Sequence, residues 1–192
     1  MLSTSYSHSL SVNINSKTEG ESTTQQVNKF LQFYLGSNDI ITSCASGRDL
    51  ALLEAEVVTE VITVSVSEIL SVPQMPYCVL GIYSWRSEML WIVDLENLLG
   101  YPPSFDPNHE TILVMIVQIE GQSLGLVIPQ IDNIVEQNLA NFKAPSSEIF
   151  SEDVLPFLNG YLTDKNNNIV MLIKAEEVFH FFSINPNLST FK

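Results

Sequence analysis

The order of short apolar segments in this chain repeats once. Each copy contains a glycine-bearing strand pattern, a turn with a cation, a second strand pattern and a short helix pattern. The first copy runs through Gly81, Arg86 and Leu90–Val93, and the second through Gly160, Lys165 and Ile169–Leu172. Short strands separated by turns predict two similar small β units packed together, and they favour small barrels over a parallel α/β sheet.

The segments upstream of each copy also match. Phe30–Leu35 has its counterpart in Leu113–Ile119. The spacing of Leu53, Ala55, Val58 and Val61 is that of Leu126, Ile128, Ile131 and Ile134. We therefore predict an all-β chain of two tandem barrels with short helices.

Hydrophobic periodicity defines the individual elements. The predicted strands are Phe30–Leu35, Leu50–Thr63, Val79–Trp85, Met89–Val93, Thr111–Ile119, Gln122–Ile128, Ile131–Val135, Phe157–Leu162 and Ile169–Ile173. One short helix is predicted between the N-cap Asp94 and Gly100, and a second over Ala175–Phe182. Residues 138–156 are predicted to be a long polar loop.

The two ends of the chain differ from its middle in composition. Residues 1–27 are rich in Ser, Thr, Asn and Gln and are predicted to be a disordered polar tail. Residues 28–183 are predicted to form the folded domain, and residues 184–192 a loose C-terminal tail.

The charge of the chain restricts its partners. It carries 22 acidic and 8 basic residues, which gives a formal net charge of −14. This balance repels phosphate backbones and anionic membrane surfaces, so we expect no nucleic-acid binding. The first residues lack the basic and apolar regions of a secretory signal, and charges break the apolar runs within about 10 residues, so we expect neither a secretory signal nor direct membrane insertion. A cytoplasmic protein is the expectation.

The sequence contains no recognisable catalytic set. The motifs of phosphate-binding loops, dinucleotide folds, zinc proteases and serine hydrolases are absent from it. Asp94 has the position of a helix N-cap, and Cys78 precedes an apolar strand, where a small buried side chain is expected. His8, His109 and His180 have no metal partner at ligand spacing. We expect no enzymatic activity, no cofactor and no metal.

Arg86 is the one positive charge between Arg48 and Lys143. It lies between two runs of strand-forming residues, which predicts a hairpin tip where its guanidinium can reach oxygens of a partner. An ion pair with an acidic residue of the same chain is an equally good interpretation. Trp85 is a candidate interface anchor, because Trp and Arg are enriched at hot spots, whereas Trp91 is expected to face a core.

Several motifs resemble the CheW-like adaptor family of chemosensory systems. The family patterns are a V-x-E-V strand, a V-P-x-x-P approach, a G-V-I-N-L-R-G hairpin and a P-V-V-D-L strand before a short helix ending in L-G. They correspond here to Val58-Thr-Glu-Val61, Val72-Pro-Gln-Met-Pro76, Gly81-Ile-Tyr-Ser-Trp-Arg-Ser87, Trp91-Ile-Val-Asp-Leu95 and Leu99-Gly100. The resemblance covers residues 28–183.

The resemblance implies a fold and a role. Members of the family have two SH3-like five-stranded barrels around separate small cores. They bridge a methyl-accepting-type receptor to a CheA-type histidine kinase without chemistry of their own. By motif position, Val58, Glu60 and Arg86 match residues of receptor contact, and Gly81 matches a glycine near the kinase-facing surface.

The chain departs from the family pattern at four places. Ser87, Trp91, Ile128-Pro129 and Lys174 replace a glycine, a proline, a Val-Asp pair and an aspartate. These departures resemble adaptors of phototaxis or pilus-driven twitching motility more than those of flagellar arrays. Two other classes stay open. One is a ligand-binding or enzymatic β-barrel protein that uses a groove between the two units, and the other is a structural subunit that caps an assembly without receptor contact.

Overall fold

The described part of the molecule consists of ten strands and two short helices. The structure is a computed structural model and describes residues 27–36, 48–102 and 110–184. The strands are β1 (Val27–Leu35), β2 (Asp49–Glu54), β3 (Val58–Ser65), β4 (Val79–Trp85), β5 (Glu88–Asp94), β6 (Thr111–Ile119), β7 (Gln122–Val127), β8 (Gln130–Asn138), β9 (Leu158–Thr163) and β10 (Ile169–Ile173). The helices are α1 (Leu95–Leu98) and α2 (Ala175–Ile184). The predicted tails, apart from Val27 in β1 and Ile184 in α2, lie outside the described residues.

The strands form two five-stranded sheets with the same internal order. The first sheet runs β8-β1-β2-β10-β9 and the second runs β3-β6-β7-β5-β4. Exchanging β1–β5 with β6–β10 converts one order into the other. The predicted repeat and the all-β fold class of two five-stranded units are therefore confirmed.

Neither sheet is contiguous in the sequence. β1 and β2 pair with strands of the second half of the chain, whereas β3, β4 and β5 join β6 and β7. Two parallel pairings complete the exchange, β2 with β10 and β5 with β7. The two copies of the repeat are thus interlocked, and each sheet needs both halves of the chain.

A short bridge draws the edge strands of each sheet together. After β3 the chain continues to Leu70, which pairs with Ile82 of β4. After β8 it continues to Lys143, which pairs with Tyr161 of β9. Because β3 and β4, and likewise β8 and β9, are the outer strands of their sheets, these bridges curl each sheet toward a barrel.

The buried apolar side chains form two small clusters and one large one. The barrel cluster of the second sheet contains Val64, Leu90, Ile92, Val114, Ile116 and Val127, and that of the first sheet contains Phe30, Leu52, Val170 and Leu172. A larger shared cluster takes side chains from both sheets and both helices, including Leu31, Met115, Leu95 and Val178. The separate small cores implied by the resemblance are present, but the largest core lies between the two sheets.

Three sequence predictions need correction. Leu50–Thr63 is not one strand, because a 3-10 turn at Ala55–Val57 separates β2 from β3 in a run without glycine or proline. Ile131–Val135 lies within the longer strand β8, which continues to Asn138. The segment 138–156 is not a single loop, since it contains the Lys143 bridge and the beginning of a 3-10 turn at Leu155–Phe157.

The helix ends explain one predicted role and one departure. Asp94 caps α1 as predicted, because the Asn97 N–H donates to Asp94 Oδ1 at 3.0 Å. Lys174 stands before α2 at the corresponding place and has no acceptor atom in its side chain with which to cap. Its Nζ instead donates to Glu177 Oε1 at 2.7 Å, one turn into the helix.

Candidate functional site

The hairpin between β4 and β5 reverses direction in two residues. Trp85 pairs with Glu88, which leaves Arg86 and Ser87 as the central residues of the turn. Their φ angles are 48° and 69°, both left-handed, as in the type I′ turns that fit the twist of antiparallel strands. The prediction that Arg86 lies at a hairpin tip is confirmed. Glycine is absent from both turn positions, so the turn is strained.

The Arg86 guanidinium lies at the surface and has two neighbours in the chain. Its Nη2 donates to Glu60 Oε2 at 3.1 Å, and its Cζ lies 4.9 Å from the centre of the Trp85 ring. The Arg86 side chain is 63% exposed and that of Glu60 is 30% exposed. An ion pair within the chain therefore exists, but at this exposure it contributes only about 0–1 kcal/mol to stability.

Glu60 reaches the hairpin from β3. Its Oε1 accepts a hydrogen bond from Trp85 Nε1 at 2.5 Å, so each carboxylate oxygen has one donor. Glu60, Trp85 and Arg86 thus form one group, the tip cluster. Glu60 and Trp85 are 25 residues apart in the sequence, and only the closure of the second sheet brings them together.

A bulge in β3 separates Glu60 from Val58. The register with β6 shifts between these residues, so that Val58 pairs with Val117 and Glu60 pairs with Ile116. Val117 belongs to the shared cluster, whereas Ile116 belongs to the barrel cluster of the second sheet. Val58 is therefore not part of the tip cluster, and it packs against the shared cluster on the other face of the strand.

The two tryptophans face different cores. Trp85 is half-buried and packs against the barrel cluster of the second sheet, with its indole N–H pointing to Glu60. Trp91 is half-buried against the shared cluster, which confirms that it faces a core.

Gly81 lies four residues before Trp85 on β4, about 13 Å away along the strand. A Cβ atom there would come within 2.3 Å of the Leu70 carbonyl oxygen, and the φ of Gly81 is +149°. The register with β5 also shifts between Val79 and Gly81. Gly81 thus combines a close backbone approach with a bulge, the two features that a glycine inside a strand often marks.

Two exposed apolar side chains near the hairpin were missed by the sequence analysis. Leu70 is 61% exposed and Met89 is 57% exposed. Met89 could have been found, because it alternates with the buried Leu90 in a strand of period two. Leu70 had no such signal, since it lies outside the strands and is paired only through the isolated bridge to Ile82.

The other residues considered for chemistry have structural roles or lie apart. Cys78 is fully buried, and burial raises the pKa of its thiol to about 11, which makes it unreactive at neutral pH. His180 is exposed on α2, and His8 and His109 lie outside the described residues. Within residues 27–36, 48–102 and 110–184, no three His, Cys, Asp or Glu side chains are placed to hold a metal ion.

The fold and the tip cluster define a class: a protein of two interlocked β-barrels whose candidate site presents a cation, a carboxylate and an aromatic ring at the surface. Such groups suit contact with another protein. A family model for the CheW-like domain matches residues 41–182, and the chain belongs to that family. This confirms the resemblance seen in the sequence motifs.

Comparison with solved structures supports the same fold. The crystal structure of the scaffolding protein TtCheW from Thermoanaerobacter tengcongensis matches with a TM-score of 0.61 at 19% sequence identity. The match covers 78% of this chain and 90% of that one. No curated protein matches the sequence significantly. Neither α1 nor α2, the helices of the described residues, has the length and apolar character to cross a membrane.

Proposed function

We propose that this chain is a non-catalytic cytoplasmic adaptor that couples the cytoplasmic domain of a methyl-accepting-type receptor to a CheA-type histidine kinase. The observation that carries the proposal is the tip cluster, in which the exposed Arg86 pairs with Glu60 at the turn where the family motif has an arginine. The similar fold of TtCheW, which is a scaffolding protein, supports a role without chemistry.

The receptor contact is assigned to Val58, Glu60 and Arg86. The bulge in β3 gives this surface two parts, since Val58 packs toward the space between the sheets while Glu60 lies at the tip cluster. Arg86 extends from the hairpin with most of its surface exposed, and its guanidinium can donate in a planar fork to carboxylate or carbonyl oxygens. A receptor element would therefore contact both the tip and the adjoining edge of β3.

The kinase contact is assigned to the surface around Gly81. Gly81 itself has no side chain to offer and is enclosed by the Leu70 bridge. The Leu70 backbone lies against this position, and the exposed Leu70 side chain supplies apolar contact area beside it. The receptor and kinase surfaces would then share one barrel, about 13 Å apart along β4.

The experiment that tests the proposal is reconstitution with purified partners. The chain should co-elute with a CheA-type kinase, bind a soluble cytoplasmic fragment of a methyl-accepting receptor, and increase the receptor-dependent kinase activity. Because an excess of a two-ended linker occupies each partner separately, activity should rise and then fall with adaptor concentration. A rise to a plateau without decline would contradict bridging, and failure to bind either partner would contradict the proposal as a whole.

A groove between the barrels would serve the alternative function, a ligand-binding or enzymatic β-barrel protein. The space between the two sheets is filled by the shared cluster, whose members such as Phe33, Leu53, Met115 and Leu126 are almost fully buried. This packing favours the adaptor. Turnover or saturable small-molecule binding by the isolated chain would favour the alternative.

The output of the system is assigned to phototaxis or pilus-driven motility. The support is the set of departures from the family pattern, which includes Ser87 at the strained turn and Lys174, which bonds Glu177 at the start of α2. A deletion strain should lose directed twitching or light-guided movement while any flagellar swimming persists. Loss of swimming chemotaxis instead would assign the chain to a flagellar array.

A further inference from the structure

Trp85 is held between the two charged groups of the tip cluster. Its indole N–H donates to one oxygen of Glu60, and its ring lies 4.9 Å from the guanidinium carbon of Arg86. The family motif has leucine at this position, which has neither a donor nor a π face. The indole contacts are therefore a property of this chain.

We propose that Trp85 is a positioning residue that fixes Glu60 and Arg86 in one orientation and thereby sets the affinity and specificity of the receptor-binding surface. This inference rests on the proposed function, because it assigns Trp85 a role in orienting the side chains of the proposed receptor-binding surface. It is an alternative to the prediction that Trp85 is itself an interface anchor, and it is favoured by the half-buried indole, whose N–H already donates to Glu60.

The positions of the three side chains explain how the indole acts. With Oε1 bound to Trp85 and Oε2 bound to Arg86, the Glu60 carboxylate has both its tilt and its rotation defined. The Trp85 ring in turn is fixed by packing against the barrel cluster of the second sheet. The core therefore fixes the Trp85 ring, Trp85 orients the Glu60 carboxylate, and Glu60 orients the Arg86 guanidinium.

Preorganisation of this kind changes binding because an exposed arginine otherwise loses side-chain freedom when a partner immobilises it. That loss weakens binding by about 2- to 12-fold for each flexible side chain ordered at an interface. A partner that presents a carboxylate or carbonyl oxygens at one fixed place gains from an oriented guanidinium, whereas a diffuse acidic surface gains little. Trp85 should therefore favour a rigid partner element of defined shape.

A purely structural role for Trp85 is the competing explanation, because the ring also fills space beside the barrel cluster. Trp85→Phe separates the two roles, since it retains an aromatic ring for packing and for the guanidinium but removes the N–H donor. Trp85→Leu restores the family residue and removes both the donor and the ring.

The first measurement needs no partner. The chain has 2 tryptophans, so Trp91→Phe leaves Trp85 as the sole indole. In this background, two-dimensional NMR of the indole N–H should show a downfield, slowly exchanging proton. Glu60→Ala should shift it upfield and speed its exchange, whereas Glu88→Ala, a neighbouring acid at the same hairpin, should not. If the chemical shift and the exchange rate of the Trp85 indole proton are unchanged in Glu60→Ala, the proposal is overturned.

The second measurement is the affinity for a purified cytoplasmic fragment of a methyl-accepting receptor. Trp85→Phe should weaken binding about 2- to 12-fold at an unchanged melting temperature, and Trp85→Leu should weaken it further. In a Glu60→Ala background, Trp85→Phe should have no additional effect, because the carboxylate it orients is gone. Binding of Trp85→Phe equal to that of the unmodified chain, or a fully additive cycle, would overturn the inference.

The two failures can be told apart. If Arg86→Ala abolishes receptor binding while Trp85→Phe leaves it intact, the proposed function stands and the role of Trp85 falls. If the unmodified chain does not bind the receptor fragment, the proposed function falls, and the assignment of Trp85 to receptor affinity falls with it. The NMR measurement then decides separately whether Trp85 orients Glu60.

Discussion

The hairpins β4–β5 and β9–β10 occupy equivalent places in the two sheets but differ in what the polar side chains at their tips contact. At the β4–β5 tip, two residues with positive φ hold an arginine whose side chain is 63% exposed. At the β9–β10 tip, the longer turn over residues 164–168 is organised by Asp164. The Asp164 carboxylate accepts hydrogen bonds from the backbone N–H groups of Asn166 and Asn168 at 2.8 and 2.7 Å.

The difference distinguishes a turn that stabilises the fold from a turn that is suited to contact with a partner. The β9–β10 turn satisfies its own backbone donors, which is the usual way in which an Asx turn gains stability. The β4–β5 turn accepts unfavourable backbone angles and directs its charged group outward. The β9–β10 turn also has one residue with positive φ, Asn167 at 68°, but asparagine tolerates that conformation, whereas Arg86 and Ser87 do not share this tolerance. The greater strain at the β4–β5 tip supports a functional assignment there.

The largest expected effect compares how closely a backbone carbonyl approaches the glycine at the closure of each sheet. A Cβ at Gly81 would lie 2.3 Å from a backbone oxygen, whereas a Cβ at Gly160 would lie 3.1 Å from one. Gly81→Ala should therefore lower the free energy of unfolding by about 3–5 kcal/mol, and Gly160→Ala by about 1 kcal/mol. Urea unfolding followed by circular dichroism measures both.

The same geometry changes how the kinase contact should be tested. By family position, Gly81→Asp is expected to abolish kinase binding more than receptor binding. The Leu70 carbonyl leaves no room for a side chain, so we expect this variant to lose both partners together with the fold. Leu70→Ser keeps the backbone bridge and alters only an exposed side chain, so it is the better probe of that surface. Selective loss of kinase binding by a folded Gly81→Asp protein would contradict this account.

The second prediction concerns the cations at the two tips. Arg86→Ala should weaken receptor binding by about 2 kcal/mol or more, close to 30-fold, because it removes a candidate hot-spot residue. The matched control Lys165→Ala removes an exposed cation from the equivalent hairpin and should leave binding unchanged. Calorimetric titration with a receptor fragment measures both affinities. Equal losses at the two tips would mean that net charge, and not the tip cluster, governs the interaction.

Arg86→Ala also decides between the two interpretations of its charge. The pair with Glu60 is exposed, so its loss should lower the free energy of unfolding by no more than about 1 kcal/mol. A much larger loss of stability with unchanged binding would make Arg86 a structural residue.

Features that depend on neighbouring residues could be predicted from the sequence, whereas contacts between residues far apart in the sequence could not. The Arg86 tip and the Asp94 cap depend on a few neighbouring residues, and both were predicted. The interlocking of the sheets was not predicted, because the two copies carry the same strand pattern. No neighbouring residue specifies that β2 pairs with β10 rather than with β5.

The candidate site was predictable to a similar degree. Glu60 and Arg86 were singled out by motif position, and Trp85 by its place beside the tip. Their mutual contacts depend on the closure of β3 toward β4, which brings together residues 25 and 26 positions apart. The bulge that turns Val58 away from Glu60 had no sequence signal, since neither glycine nor proline marks it.

The third prediction concerns turn strain within the second sheet. The β6–β7 hairpin also turns in two residues, and its second position is Gly121, whereas the second position of the β4–β5 turn is Ser87. Ser87→Gly should raise the free energy of unfolding by about 1 kcal/mol, and Gly121→Ser should lower it by a similar amount. A Cβ at Gly121 would meet no atom within 4 Å, so its cost is conformational. Opposite shifts of about 2–4 °C in melting temperature are expected, and shifts of the same sign would contradict the strain account.

The smallest expected effect concerns acid and the β9–β10 turn. The hydrogen bond donated by the Asn168 backbone N–H is the main cause that holds the pKa of Asp164 below its usual value of 3.8. A carboxyl group with a lowered pKa stabilises the folded turn above pH 3.8, and this contribution is lost as the pH falls through the lower folded pKa. Amide hydrogen exchange at Asn166 and Asn168 should therefore accelerate relative to an unstructured reference only below pH 3.8. In Asp164→Asn, which does not titrate, this acid step should disappear. A step at or above pH 3.8 would show that the carboxylate is not held by these donors, and that the β9–β10 tip is no better satisfied internally than the tip that carries Arg86.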